Sequence, residues 1–177
     1  MRVTKEQMAE HRERILDAAG RLFRERGFDG VTVAEVMQAA GLTHGGFYGH
    51  FKSKADLIAQ TLAHIRPAGG AAASLAEYAA AYLNRRHRED CAGGCPVAAL
   101  GSDTIRQSPE ARAAMTDGLR QQIERLTKIA PGKTAAEKRR AAIAGWSAML
   151  GGLILARLSE DEELSEEVLA ATRDAIG

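Results

Sequence analysis

The feature that most restricts this chain is the punctuation of its first 66 residues, where helix starts and glycine stops fall close together. A Ser or Thr can accept the amide three residues on while an acid or amide side chain there reaches back. That pairing satisfies two of the donors left open at a helix start. Thr4 with Gln7 opens a helix through about Arg26, with Ile15, Leu16, Ala19, Leu22 and Phe23 on one face. Gly27 supplies its stop, and Phe28 packs back on the preceding turn. Thr32 with Glu35 opens a second helix through Ala40, with Val33, Val36 and Met37 inward. Gly41 ends it, Thr43 caps a third short helix to Phe51, and Ser53 with Asp56 opens a fourth through about Arg66.

Two short helices joined by a glycine-containing turn of about four residues make a helix-turn-helix. Gly41 stands where the chain must reverse with positive φ, a conformation that strains any residue with a Cβ. Leu42 and Phe47 bury against the first helix, which leaves the second short helix able to enter a major groove. Pro67 and the run Ala68-Gly69-Gly70-Ala71 mark a seam. Helices are expected beyond it at 74–89, 97–106, 109–130, 134–158 and 164–176, with a glycine-rich loop from Asp90 to Pro96 and a turn at Pro131-Gly132.

Composition agrees with an all-α fold, being 45% hydrophobic but only 5% aromatic, with few Val-Ile-Thr runs. Net charge is +1, and residues 1–66 carry 10 Lys/Arg against 8 Asp/Glu, a balance that permits a nucleic-acid partner without arguing for one. No apolar leader and no span of about 20 apolar residues is visible, so no membrane helix is expected. Two cysteines without an export signal fit reduced thiols and a cytoplasmic protein.

The run GLTHGGFYGHFKSKADLI closely resembles the signature of TetR/AcrR-type transcriptional regulators. The upstream ILDAAGRLFRERGFDGVTVAEVMQAAG looks like the first two helices of the same family. The resemblance covers roughly residues 8–62. It implies a three-helix helix-turn-helix DNA-binding domain over 1–52, a connecting helix over 53–66, and an α-helical ligand-sensing and dimerisation domain over 67–177. It further implies a homodimeric repressor on a palindromic double-stranded DNA operator, released by a small-molecule effector, with no catalytic role and no cofactor.

Carried over residue by residue, Thr32 resembles a phosphate contact at a helix N-terminus, and Thr43, His44, Gly45 and Gly46 occupy the groove-facing start of the recognition helix. Tyr48 resembles the aromatic that touches a base methyl or a phosphate, and His50 and Lys54 resemble backbone contacts. On chemistry alone His44 is the best direct base reader, since its ring can donate to or accept from a purine edge. Ala34 cannot make the arginine-to-guanine contact that some relatives make there. Gly45-Gly46 costs on the order of 1 kcal/mol per residue in helix propensity, which makes sense if bulk there would hold the backbone off DNA.

In the second half, Ile143, Trp146, Met149, Leu150, Leu153 and Ile154 recur at helical spacing, and Gly145, Gly151 and Gly152 allow close helix approach. Two such helices from each subunit can form an intermolecular four-helix bundle, with Gly145, Leu150, Leu153, Ile154, Val168 and Leu169 as the expected interface. Candidate effector-pocket residues are Tyr78, Tyr82, Cys95, Leu100, Met115, Leu119, Ile123, Trp146 and Met149, a sparsely charged set that suits an apolar molecule.

Cys91 and Cys95 raise an alternative control, oxidation or electrophile modification. Cys95 stands just before a helix, and Arg85, Arg86, His87 and Arg88 precede the loop. A metal is not expected, since the two thiols and His87 lack a fourth ligand. An enzyme is not expected either, since a Cys95–His87 pair lacks an orienting third group. A helical protein-interaction module without DNA binding is the alternative class.

Overall fold

The computed structural model describes residues 4–65 and 72–177, so the expected seam at Pro67 to Ala71 lies outside the described residues. Among the described residues the regular structure is entirely helical. Helix α1 (Lys5–Arg26) opens on the Thr4–Gln7 capping box and closes at Gly27, whose φ is 72°. Helix α2 (Val33–Ala39) opens on the Thr32–Glu35 box.

A 3₁₀ helix follows over His44–Gly49, and then α3 spans Lys54–His64. The remaining elements are α4 (Leu75–Tyr82), α5 (Arg85–Glu89), α6 (Pro96–Thr104), α7 (Pro109–Thr127), α8 (Ala135–Leu158) and α9 (Glu162–Asp174).

Four expectations need correction. The third short helix is a 3₁₀ helix whose N-cap Thr43 makes no side-chain capping bond. Three glycines in six residues weaken an α-helix enough for the tighter turn to win. At α3 only half of the expected box forms: Ser53 accepts the Asp56 amide, but the Asp56 carboxylate takes the Lys52 amide at 2.9 Å. The helix expected over 74–89 is two, because Asn84 donates to the Ala81 carbonyl at 2.7 Å and accepts the His87 amide at 2.9 Å. One side chain thereby ends α4 and starts α5.

The fourth correction concerns α8. By length and composition its 24 residues are apolar enough to cross a membrane, with mean hydropathy 1.5 in the most apolar stretch and only 33% of that stretch buried. Beyond Arg140, alanine and glycine between the large residues leave Ser147 as the one polar side chain up to Ala156, so this stretch of α8 is apolar on both faces.

The chain packs as two compact units, one of Met1–Pro67 with Cys95–Gly118, the other of Ala68–Gly94 with Leu119–Gly177. The first is centred on Ile15, Phe23, Phe28, Met37, Phe47 and Leu57, and Leu100 and Ala111 from α6 and α7 join that cluster. In the second, α8 and α9 pack closely: a Cβ on Gly152 would lie 2.6 Å from the Thr172 hydroxyl. Arginines from these helices tie down the α4–α5 segment. Arg157 donates to the carbonyls of His87 at 2.6 Å and Arg88 at 3.1 Å, and Arg173 donates to that of Leu83 at 2.6 Å.

The turn between α2 and the 3₁₀ helix rests on Gly41, whose φ is 69°. Its amide bonds to Gln38 and the Leu42 amide to Met37, each at 2.9 Å. A Cβ there would lie 2.6 Å from an Arg14 guanidinium nitrogen, and Arg14 itself donates to the Ala40 carbonyl. Gly41→Ala is therefore expected to destabilise the protein by on the order of 1–2 kcal/mol. Urea denaturation reads this as a lower midpoint at unchanged slope. An unchanged midpoint would mean that the turn relaxes without strain.

Candidate nucleic-acid interface

Phe47 and Phe51 are wholly buried and stack with ring centroids 5.7 Å apart. Burying two aromatic rings contributes several kcal/mol, which fixes the rotation of the short element between them. Tyr48 is thereby turned outward and stands 74% exposed, its ring edge-on to Phe47 at 5.2 Å. Thr43, His44, Gly45, Gly46 and Gly49 are exposed around it. Among the described residues, chain neighbours aside, nothing lies within 4 Å of where a Cβ on Gly45 or Gly49 would stand, and one on Gly46 would make an ordinary 3.6 Å contact with Met37. None of the three has positive φ. Packing and backbone conformation therefore do not require glycine here.

The sequence-predicted residues are differently engaged. The Thr32 hydroxyl donates to the Glu35 carboxylate at 2.7 Å, and the Thr32 amide donates to it at 2.8 Å. Thr32 thus has its hydroxyl proton committed inside its own cap. The bonds from the Thr32 side chain, the Thr32 amide and Arg26 hold the Glu35 carboxyl down to about 2. His50 is half-buried at the end of the 3₁₀ helix, and its carbonyl accepts from Arg12 at 3.1 Å. The Arg12 guanidinium also lies 4.9 Å from the Phe51 ring centre, a cation–π contact. Lys54 begins α3. Arg12 was not singled out by the sequence, since its partner His50 is 38 residues away.

The other candidate residues are divided between the two units. Leu100 and Met115 pack in the first unit's core, and Cys95 belongs to that unit as well. Tyr78, Tyr82, Leu119, Ile123, Trp146 and Met149 belong to the second. Within the second unit Tyr78 and Tyr82 stack at 5.9 Å, and the Tyr78 hydroxyl accepts from Gln122 at 2.9 Å and from Arg125 at 3.1 Å. Trp146 is buried, and among the described residues its indole nitrogen has no hydrogen-bond partner.

Among the described residues neither cysteine is in a disulfide; Cys91 is half-buried, and Cys95 is buried at the N-cap position of α6. The positive charge expected beside them is largely engaged. Arg85 pairs with Glu89 and Glu162, and Arg88 donates to Ser165. His87 donates its Nδ1 proton to the Tyr82 carbonyl at 2.7 Å, and burial pushes its imidazole below the ordinary histidine range. Among the described residues no group of three or more His, Cys, Asp or Glu is placed to hold a metal.

Of the expected interface residues, Leu153 and Leu169 are wholly buried in their own chain, and a Cβ on Gly145 would strike Leu75 at 2.7 Å. Leu150 and Val168 are half-buried, and Ile154 is exposed. On these two helices the large apolar residues left exposed are Ile143, Ile154, Leu155 and Leu158 on α8 with Leu164 on α9. Sequence periodicity could not separate the two faces of α8, because both are apolar.

The family model for bacterial regulatory proteins of the tetR family matches residues 15–61. The HTH-type transcriptional regulator AcrR of Shigella flexneri is 44% identical over 59 residues, 33% of this chain and 27% of that protein. The HTH-type transcriptional repressor BepR of Brucella suis is 42% identical over 66 residues, 37% of this chain and 32% of that protein. These alignments therefore span about a third or less of each relative's length. Solved structures match along nearly the whole chain. The reduced form of Escherichia coli NemR has a TM-score of 0.69 at 22% identity, covering 93% of this chain and 95% of that one. A TetR-family regulator from Cytophaga hutchinsonii has a TM-score of 0.72 at 16% identity, covering 99% and 96%. At these identities the likeness is one of fold.

The depressed Glu35 carboxyl ties folding to acid. Its ordinary value is 4.5 and its folded value about 2, so the stabilisation is complete above pH 4.5 and is lost as pH falls through 2. Glu35→Gln is expected to flatten the loss of stability with falling pH in that window, measured as melting temperature against pH. An identical acid profile in the variant would contradict the assignment.

Proposed function

We propose that this chain, tetR-family in its N-terminal sequence and TetR-like in fold, is a dimeric transcriptional repressor. It binds a palindromic double-stranded operator and is released by a small, largely apolar effector. One observation carries the DNA reading. The aromatic Tyr48 stands in solvent beside His44 and three exposed glycines, on an element whose orientation is locked by buried Phe47 and Phe51. A surface that spends helix stability on glycines its own packing does not need is shaped for close approach by something outside the chain.

In this reading His44 and Tyr48 touch base edges, and Thr43, Gly45 and Gly46 let the backbone come close to the groove. His50 and Lys54 meet phosphates. Thr32 contributes through the amides at the start of α2, since its hydroxyl is engaged with Glu35. Residues 1–52 then form the DNA-binding domain, 53–66 the connecting helix, and 67–177 the effector and dimerisation domain.

A helix apolar on every side needs cover on every side. For α8 we assign the outer cover to a second copy of the chain, which pairs Ile143, Ile154, Leu155, Leu158 and Leu164 across a two-fold axis. Leu158 is 74% exposed, so its environment depends most on that partner. Leu150 and Val168 flank this patch, while Gly145, Leu153 and Leu169 support it from inside. Such a dimer presents two recognition elements to successive half-sites and keeps the protein in the cytoplasm rather than in a membrane. Tyr78, Tyr82, Leu119, Ile123, Trp146 and Met149 supply the apolar wall for the effector, with Cys95, Leu100 and Met115 as further candidates.

Control by oxidation or electrophile attack is the second reading, favoured by Cys91 standing half-buried and reduced in a turn. Cys95 is 5% exposed, so modification begins at Cys91. Cys91→Ser is expected to abolish any loss of DNA binding under mild peroxide, and an unaltered response in the variant would remove this reading.

Selection of sites from random DNA is expected to return a palindrome bound with steep salt dependence. A single enriched half-site, or salt-independent binding, contradicts the proposal. Lys54→Ala should weaken binding evenly across sequences, and His44→Ala should alter sequence preference. Gly45→Ala is expected to stabilise the fold by about 0.5–1 kcal/mol while weakening DNA binding. Light scattering should find a dimer for the wild type and a monomer when Leu155 and Leu158 are both replaced by Glu. A dimer surviving that change would place the interface elsewhere.

A further inference from the structure

His50 is the C-cap of the 3₁₀ helix, and its amide bonds to the Phe47 carbonyl at 2.9 Å. From α1, Arg12 donates to the His50 carbonyl, and the His11 ring meets the His50 ring edge-on at 6.2 Å. Two imidazoles and a guanidinium thus share one seam between α1 and the 3₁₀ helix, beside the segment that carries Tyr48 and His44.

The carboxylates Glu35 on α2 and Asp56 on α3 are engaged elsewhere, while Glu10 and Glu13 flank His11 and Arg12 along α1. On α2, Glu35 is held by Thr32 and Arg26. On α3, Asp56 is held by the Lys52 amide and by Gln60 at 2.6 Å, and the remaining charge there is Lys54. Arg14 on α1 is spent on the Ala40 carbonyl. Among the described residues no carboxylate hydrogen-bonds to either ring. Burial, with His11 and Arg12 close by, keeps the His50 imidazole below the ordinary histidine range. The uncharged ring is thereby favoured, and no carboxylate is bonded to it among the described residues.

We infer that His50, with His11 beside it, forms a proton-linked seat for a DNA backbone phosphate: His50 takes up a proton from solvent as the phosphate docks, so operator affinity falls as pH rises. The inference rests on the DNA-binding reading above and adds His11, which lies outside the helix-turn-helix, to the contact set. A docked phosphate supplies the missing negative charge and turns the ring N–H into a charge-assisted donor. The bound histidine then titrates at a higher pH than the free one. Below the free value both states are protonated, above the bound value neither is, and affinity changes only between them.

The test uses the full chain and an operator duplex selected from random DNA. Calorimetry at pH 7 in two buffers of different ionisation heat reports the protons taken up on binding, and requires no variant. Net uptake is expected, and no uptake or release overturns the inference. Anisotropy of the labelled duplex from pH 6 to 8 should show wild-type affinity falling by up to about tenfold per pH unit for each linked proton. His50→Gln should flatten that profile, and His11→Gln should move its midpoint to higher pH by removing a neighbour that holds the His50 imidazole down. His44 lies on the same element, so His44→Gln must keep the pH dependence. If His44→Gln loses it while His50→Gln keeps it, the proton belongs to the base-reading face and the seat is wrong. Duplex binding without uptake removes this inference alone, whereas no duplex binding at any pH removes the DNA-binding reading with it.

Discussion

Phe47 and Phe51 sit one turn apart in the first unit's core, and their burial governs what the residues around them can present. With both rings inward, Tyr48 and His44 face solvent. The backbone reaches that position only because Gly41 reverses the chain at positive φ. Arg12 seals the arrangement from outside by bonding the His50 carbonyl and covering the Phe51 ring. Aromatic burial, a single left-handed glycine and one arginine from α1 thus act together on six residues of 3₁₀ helix. Helix propensity opposes that element at Gly45, Gly46 and Gly49, so its stability comes from tertiary contacts.

Local signals were the legible ones. The boxes at Thr4–Gln7 and Thr32–Glu35, the Gly27 and Gly41 stops, and the inward set from Ile15 to Phe51 depend on residues a few positions apart, and they appear as expected. Long-range choices were not legible. Whether Asp56 reaches back to Ser53 or across to Lys52 is a competition between two nearby amides, and Asn84 splits a helix that alanine-rich periodicity continued. The partners of Arg12 and Arg157 lie tens of residues away, and nothing local marks them. For α8 the difficulty is physical: when both faces are apolar, spacing alone cannot say which is buried within the chain. The fully buried Leu153 and the exposed Leu158 look alike in sequence.

The second unit is organised around anchored carbonyls. Arg157 and Arg173 carry charge from α8 and α9 to the ends of α4 and α5, and Arg88 returns it to Ser165 on α9. The turn bearing Cys91 begins immediately after the carbonyls that Arg157 holds, including Asp90 at 3.4 Å. The turn and α8 are thereby joined by a short set of hydrogen bonds.

Amide hydrogen exchange of the full chain, alone and with a selected duplex, tests the central claim most directly. The account predicts new protection concentrated in residues 43–54, on the start of α2 and on the His11–Arg12 turn of α1, with the outer face of α8 already protected in the free dimer. Protection absent from 43–54, or gained on DNA addition along α8 instead, would contradict it.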